Sequence, residues 1–289
     1  MASQPWTFEP VAGPYTFTEG PVWDGTVLRF TDIRASRIMR YDPRTGACDP
    51  FAEGTNQANG LTLDRQGRLI VCEGGGRRMA RYEASGERVT LAETFEGKRL
   101  NSPNDVVCDS RGRIWFTDPR YGERAGMELD HDSIYRLDPR ADGWYDIVRV
   151  TFDTTRPNGL AFAPDERTLY VAESPPAPAG SRQLRAYPVN DDGSLGQHRV
   201  LHDFGPHRGI DGMRVDADGF IVAACGWGES GPGPRIAVVT PDGTVVEEHP
   251  TPTNPTNCCF GEDDLATLFV TGYDGRLYRA RTDRRGRRA

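Results

Sequence analysis

Asn59-Gly60-Leu61-Thr62-Leu63-Asp64-Arg65-Gln66-Gly67-Arg68-Leu69-Ile70-Val71 is the stretch on which the fold turns. A short apolar run enters a turn at Asp64, Gly67 ends that turn, and a second apolar run leaves it. Glycine there accommodates positive φ, the requirement of a tight hairpin. The pattern occurs five more times, around Glu19-Gly20-Pro21-Val22-Trp23, Asn104-Asp105-Val106-Val107-Cys108-Asp109, Asn158-Gly159-Leu160-Ala161-Phe162, Asp211-Gly212-Met213-Arg214-Val215-Asp216 and Asn257-Cys258-Cys259-Phe260. Each copy is preceded by Asn, Asp or Glu. After each comes a third segment in which apolar and charged residues alternate, such as Arg37-Ile38-Met39-Arg40-Tyr41 and Ser133-Ile134-Tyr135-Arg136-Leu137. Period two means strand, not helix. A fourth, outer strand follows, as in Val245-Val246-Glu247-Glu248.

A repeat of about 40 to 55 residues with four strands is the signature of a propeller blade. The expected fold is all-β: a six-bladed β-propeller of four-stranded antiparallel blades, one domain over residues 1–289. The sixth unit lacks its outer strand, so Trp6 to Val11 is expected to supply it and close the ring; an open ring would expose a sheet edge. The run Arg279 to Arg288 reads as a basic tail, frayed and solvated over residues 280–289.

Composition agrees with this reading. The 33 glycines and 22 prolines suit short strands and tight turns. A net charge of −7 argues against nucleic acid or an anionic membrane as partner. No run of about 18 apolar residues is present, and the start Met1-Ala2-Ser3-Gln4-Pro5 has no signal-peptide pattern. Of the six cysteines, Cys72, Cys108, Cys258 and Cys259 fall in apolar strands as small hydrophobes. The default expectation is a cytoplasmic monomer with free thiols.

In a propeller the first strand of each blade lines the central channel, so the six oxygen-bearing residues converge at one face. Singly, Asn-Gly and Asp-Gly are ordinary turn formers; six at equivalent places indicate a polar centre. Glu19 and Asp211 offer carboxylates, and Asn104 and Asn158 offer amide carbonyls. These are hard oxygens without sulfur or imidazole, a set that suits calcium, or magnesium or manganese, more than tetrahedral zinc. Asn59 and Asn257 hold turns or channel water. Asp118, Arg120 and Tyr121 follow the third blade's second strand and are expected to rim the pocket and bind substrate. Glu123, Glu128 and His207 read as surface residues, and the Pro175-Pro176-Ala177-Pro178 loop as part of the rim. No Gly-x-Ser-x-Gly elbow for a serine hydrolase occurs.

The blocks Thr18-Glu19-Gly20-Pro21-Val22-Trp23, Leu100-Asn101-Ser102-Pro103-Asn104-Asp105, Trp115-Phe116-Thr117-Asp118-Pro119, Arg156-Pro157-Asn158-Gly159-Leu160 and Asp211-Gly212-Met213-Arg214-Val215-Asp216 resemble the SMP-30/gluconolactonase/LRE family. The likeness covers almost the full chain, and its Leu-Asn-Ser-Pro-Asn-Asp block is closest to the bacterial gluconolactonase branch. It implies a six-bladed propeller with one catalytic divalent cation, calcium first, with magnesium, manganese, zinc and iron as the other ions. It further implies Glu19, Asn158 and Asp211 as metal ligands, Asn104 as a substrate contact or fourth ligand, and Asp211 as general acid/base. The implied activity is hydrolysis of a small-molecule sugar lactone to the aldonic acid. The other readings are a promiscuous lactonase or phosphotriesterase on the same centre, and a non-catalytic propeller scaffold.

Overall fold

The structure is a computed structural model and describes residues 4–176 and 180–287. Six four-stranded antiparallel sheets follow one another along the chain, a six-bladed β-propeller. The first blade runs β2 (Thr18–Trp23), β3 (Leu28–Asp32), β4 (Arg37–Tyr41) and β5 (Cys48–Glu53) from the axis outward. The second is β6 (Ala58–Leu63) to β9 (Arg88–Ala92), and the third β12 (Val106–Cys108) to β15 (Tyr145–Arg149). The fourth is β16 (Pro157–Phe162) to β19 (Arg199–Asp203), and the fifth β20 (Ile210–Val215) to β23 (Val245–Pro250). The sixth comprises β24 (Pro255–Gly261), β25 (Thr267–Gly272) and β26 (Leu277–Arg281), with β1 (Glu9–Ala12) as its outer strand. A small hairpin, β10 (Thr94–Phe95) and β11 (Lys98–Arg99), leads into the third blade. No helix is long and apolar enough to cross a membrane.

Blades pack face to face because their middle strands are apolar on both faces. Leu69 to Glu73 of β7 and Ile114 to Asp118 of β13 are buried throughout. Between neighbouring sheets lie apolar clusters, for example Val222, Ala224, Ile236, Cys258, Leu268 and Val270 between the fifth and sixth blades. Trp6 and Phe8 join that cluster, and Trp6 stacks on His249 at 3.7 Å.

The innermost strands touch in a closed circle, β2 to β6, β12, β16, β20, β24 and back to β2. At this narrow radius a side chain next to the polar residue would collide with the neighbouring strand. A Cβ at Gly20 would stand 2.2 Å from the carbonyl oxygen of Asn59, and one at Gly159 2.3 Å from that of Asp211. The glycine of the repeated Asn-Gly or Asp-Gly pair is thus a packing requirement of the axis, beyond its role as a turn former.

The basic tail differs from its expected frayed state over the described residues. Thr282 and Gly286 donate backbone hydrogen bonds to Ala266 and Leu265, and the Arg284 guanidinium pairs with Asp216 at 2.8 Å and with Glu247 at 2.5 Å. Two buried or half-buried carboxylates from the fifth blade hold the chain end down.

Candidate functional site

In the first, second, fourth and fifth blades the polar residue of the innermost strand sits at an irregularity in the ladder. Register shifts fall between Glu19 and Val22, Ala58 and Leu61, Pro157 and Leu160, and Ile210 and Met213. A bulge places an extra residue on one strand and re-aims side chains, which is why bulges gather beside functional sites. Here they fall at Glu19, Asn59, Asn158 and Asp211.

Three of the expected residues form one electrostatic unit. Asn158 donates from Nδ2 to Asp211 Oδ1 at 2.7 Å. Its own Oδ1 accepts no hydrogen bond among the described residues. Glu19 is buried, and its Oε2 accepts from the Gly20 amide at 2.6 Å and from Asn257 Nδ2 at 3.1 Å. Burial, then the negative charges of Asp211 and Asp105, push the Glu19 carboxyl well above the usual carboxylate range. Asn257 is therefore a partner of Glu19, with its Oδ1 bonded to the Cys258 amide. Asn104 stands next to the unit; its side-chain amide makes no hydrogen bond among the described residues.

Asp105 was not singled out in the sequence, and it belongs to this unit. It is 2 % exposed, accepts the Val106 amide on Oδ1, and leaves Oδ2 without a partner. Burial pushes its carboxyl up, the charge of Arg214 pulls it down, and Asp211 raises it further. The signal was visible: Asp105 stands where four other repeats carry glycine. Arg214, whose guanidinium donates to the Met213 and Pro21 carbonyls, is the cation that acts on Asp105.

A second layer of acids lies one strand further out. Asp32, Glu73, Asp118 and Glu173 are each the last residue of their blade's second strand, and each is essentially inaccessible. Their oxygens hold the segment that leads into the polar residue. Asp32 accepts the Thr16 and Phe17 amides ahead of Glu19; Asp118 accepts the Asn101 and Ser102 amides, both at 2.7 Å, ahead of Asn104. Glu173 accepts the Thr155 and Arg156 amides at 3.0 and 2.6 Å ahead of Asn158, and Glu73 accepts the side-chain amide of Asn56 ahead of Asn59. These acids are positioning residues.

Asp118 and Arg120, expected at the pocket rim, are both engaged with backbone groups. Asp118 is committed to backbone amides at 0 % exposure, and burial raises its carboxyl to about 7. Arg120 donates to the Asn101 and Glu123 carbonyls and so fixes a loop. Glu123 and Glu128 likewise bind backbone amides of Ala125 and Arg99.

Tyr121 is 41 % exposed as a residue, with the Arg156 guanidinium over its ring. Its hydroxyl end lies among the charges: burial and then Asp211 raise its pKa, opposed by Arg156 and Arg208. It is a proton-bearing donor at neutral pH. Tyr273 is raised for the same reasons, burial first and Asp211 second. Across the mouth Arg208 pairs with Asp211 Oδ2, donates to the Gly226 and Pro255 carbonyls, and lies 5.9 Å from the Trp227 ring and 5.3 Å from that of Tyr273. His207 is exposed, and part of the Pro175–Pro178 loop lies outside the described residues.

The donor set suits one hard cation. Among the described residues no three His, Cys, Asp or Glu side chains make a ready metal cage. What converges is two carboxylates, Glu19 and Asp211, with an uncommitted amide oxygen of Asn158, and a third acid, Asp105, with an orphaned oxygen. Acids held this close repel one another, and a cation relieves that repulsion.

The chain's relatives bear on what such a site does. The model of the SMP-30/gluconolactonase/LRE-like region matches residues 17–273. A gluconolactonase of Zymomonas mobilis is 31 % identical over 292 residues, covering 91 % of this chain and 78 % of the relative. A 6-deoxy-6-sulfogluconolactonase of Pseudomonas putida is 33 % identical, covering 90 % and 84 %. The solved structure of a gluconolactonase from Xanthomonas campestris superposes with a TM-score of 0.84 at 33 % identity, covering 96 % of this chain and 89 % of that one. By the extent of these matches the chain belongs to the SMP-30/gluconolactonase/LRE-like family.

Proposed function

We propose that this protein hydrolyses a sugar lactone of the aldonolactone type at the mouth of the channel, with Asp211 as general acid/base. The observation that carries the reading is the Asn158–Asp211 pair facing buried Glu19: a carboxylate aimed by an amide, beside a second acid, under a tyrosine. A divalent cation held by Glu19, Asn158 and Asp211, with Asn104 beside them, would supply Lewis acidity toward the lactone carbonyl. Calcium is the ion these oxygens favour.

The chain's own groups supply the rest. Asn158 fixes the Asp211 carboxylate through Oδ1, leaving Oδ2 to handle the proton. Water attacks the carbonyl carbon while its proton passes to Asp211 Oδ2; the ring C–O bond then breaks and the proton goes to the departing alkoxide. The product is the open hydroxy acid, and Asp211 is returned as carboxylate. Arg208 occupies Oδ2 in the structure, so turnover requires it to withdraw. Tyr121, kept protonated, donates to substrate oxygen, and the Phe17, Trp227 and Tyr273 rings form an apolar edge against the sugar.

The reading is tested by assaying glucono-1,5-lactone against its spontaneous hydrolysis, with and without EDTA. Catalysis that is lost on chelation and restored by calcium is expected. Rates above background that ignore both chelation and Asp211→Asn would place the chemistry elsewhere or assign it to another centre.

A further inference from the structure

The mouth of the channel carries a cation that the protein itself does not satisfy. Arg156 stands two residues before Asn158, its backbone amide anchored by Glu173 at 2.6 Å. Its guanidinium lies over the Tyr121 ring at 5.1 Å. Nε is shielded from solvent without an acceptor, and among the described residues no carboxylate or carbonyl takes a hydrogen bond from the side chain. Other arginines around this rim are tied down: Arg208 to Asp211 and two carbonyls, Arg120 to two carbonyls, Arg185 to Glu173 and the Asp153 carbonyl. A guanidinium presents a planar fork of donors that matches carboxylate, sulfonate or phosphate oxygens. The chain as a whole is acidic, so general attraction of anions does not explain a free cation at this spot.

We infer that the preferred lactone carries a second, anionic group away from the reacting carbonyl, and that Arg156 receives it while Tyr121 backs the guanidinium. This rests on the lactone-hydrolysis reading and narrows it: a neutral polyol lactone offers Arg156 only hydroxyls, whereas an anionic substituent matches both its charge and its fork. The substituent is a carboxylate, sulfonate or phosphate, and the substrates themselves separate these.

The test compares kcat/KM for neutral glucono-1,5-lactone with that for glucaro-1,4-lactone and for the 6-phosphate and 6-sulfonate analogues of gluconolactone. The expected result is a preference of about tenfold or more for at least one anionic lactone, as a charge-assisted hydrogen bond supplies. It should reside mainly in KM and shrink as salt is raised. R156Q should bring the anionic-to-neutral ratio toward one, with R156K recovering only part. Equal or better use of the neutral lactone, or an anionic preference that survives R156Q, would overturn the inference. If no lactone is hydrolysed above background, the hydrolysis reading fails, and the anion site is judged by direct titration with 6-phosphogluconate, an unreactive ring-opened acid. Binding about tenfold weaker in R156Q upholds the site; absent binding, or binding unchanged in R156Q, removes it.

Discussion

Two layers of buried and half-buried acids surround the axis of this propeller, and they are treated differently by the rest of the chain. In the outer layer Asp32, Glu73, Asp118 and Glu173 are supplied with donors: Asp32 with Arg37 at 2.8 Å and two amides, Glu73 with Arg78 and the Tyr82 hydroxyl, Glu173 with two amides and Arg185. In the inner layer Glu19 keeps the Gly20 amide and Asn257, Asp211 keeps Asn158 and Arg208, and Asp105 keeps an oxygen with no partner, yet the three acids act on one another through their negative charges. A buried carboxylate bonded to amides fixes a backbone; acids set against one another store repulsion that a bound cation relieves. The contrast separates architecture from chemistry in residues of the same type, a few positions apart in the chain.

The largest expected effect is on turnover. Asp211→Asn should lower kcat on a hydrolysed lactone by about a thousandfold, within the range for loss of a general acid/base, with melting little changed. Retention of near-normal rate would move the acid/base role to another residue. Next comes stability in the outer layer. Asp32→Asn breaks a pair whose arginine is 32 % exposed; a fully buried pair would cost about 3–5 kcal/mol, so about 2 kcal/mol is expected by chemical denaturation. A silent Asp32→Asn would erase the distinction between the layers.

Asp118 gives a pH signature. Its folded carboxyl is raised to about 7, above its unfolded value, so between about pH 4 and pH 7 the folded state holds a proton that the unfolded state has released. Stability assigned to this group is therefore greatest at low pH and falls as pH rises through 7. Measured between pH 5 and pH 8, wild type should lose stability relative to Asp118→Asn; a gap that moves the other way, or stays constant, contradicts the assignment. The smallest effect is expected at Asp105. Asp105→Asn removes a repelling charge, and in chelated protein it should raise stability by about 1 kcal/mol, opposite in sign to Asp32→Asn. Destabilisation of similar size at both sites would mean that Asp105 is another structural acid.

Much of this was legible in the chain. The six hairpin turns and the period-two segments carry the blades, because strand alternation and turn glycines are local signals. Glu19, Asn158 and Asp211 were legible because they recur at one position of a repeat. The backbone partners of Asp118 and Arg120 were not legible, because they lie on other segments of the chain. Which face a strand residue takes, and which amides it meets, is settled by contacts such as Asp118 with Asn101, 17 residues earlier. Asp105 was hidden behind Asn104, since both residues bond to the Thr117 backbone and so do not simply alternate across the ladder. The chain end misled for a similar reason: the partners of Arg284 lie 68 and 37 residues away, and nothing local in the run of arginines announces them.

The account stands on the claim that the inner layer is a cation site and the outer layer is not. The direct measurement is the melting temperature of EDTA-treated protein with and without added calcium, for wild type, Glu19→Gln and Asp32→Asn. Binding to the folded state alone raises the midpoint. Wild type and Asp32→Asn should gain the same upward shift, from a lower starting point in Asp32→Asn, and Glu19→Gln should lose it. An equal shift in Glu19→Gln, or no shift in wild type with calcium or any other divalent ion, would contradict the account.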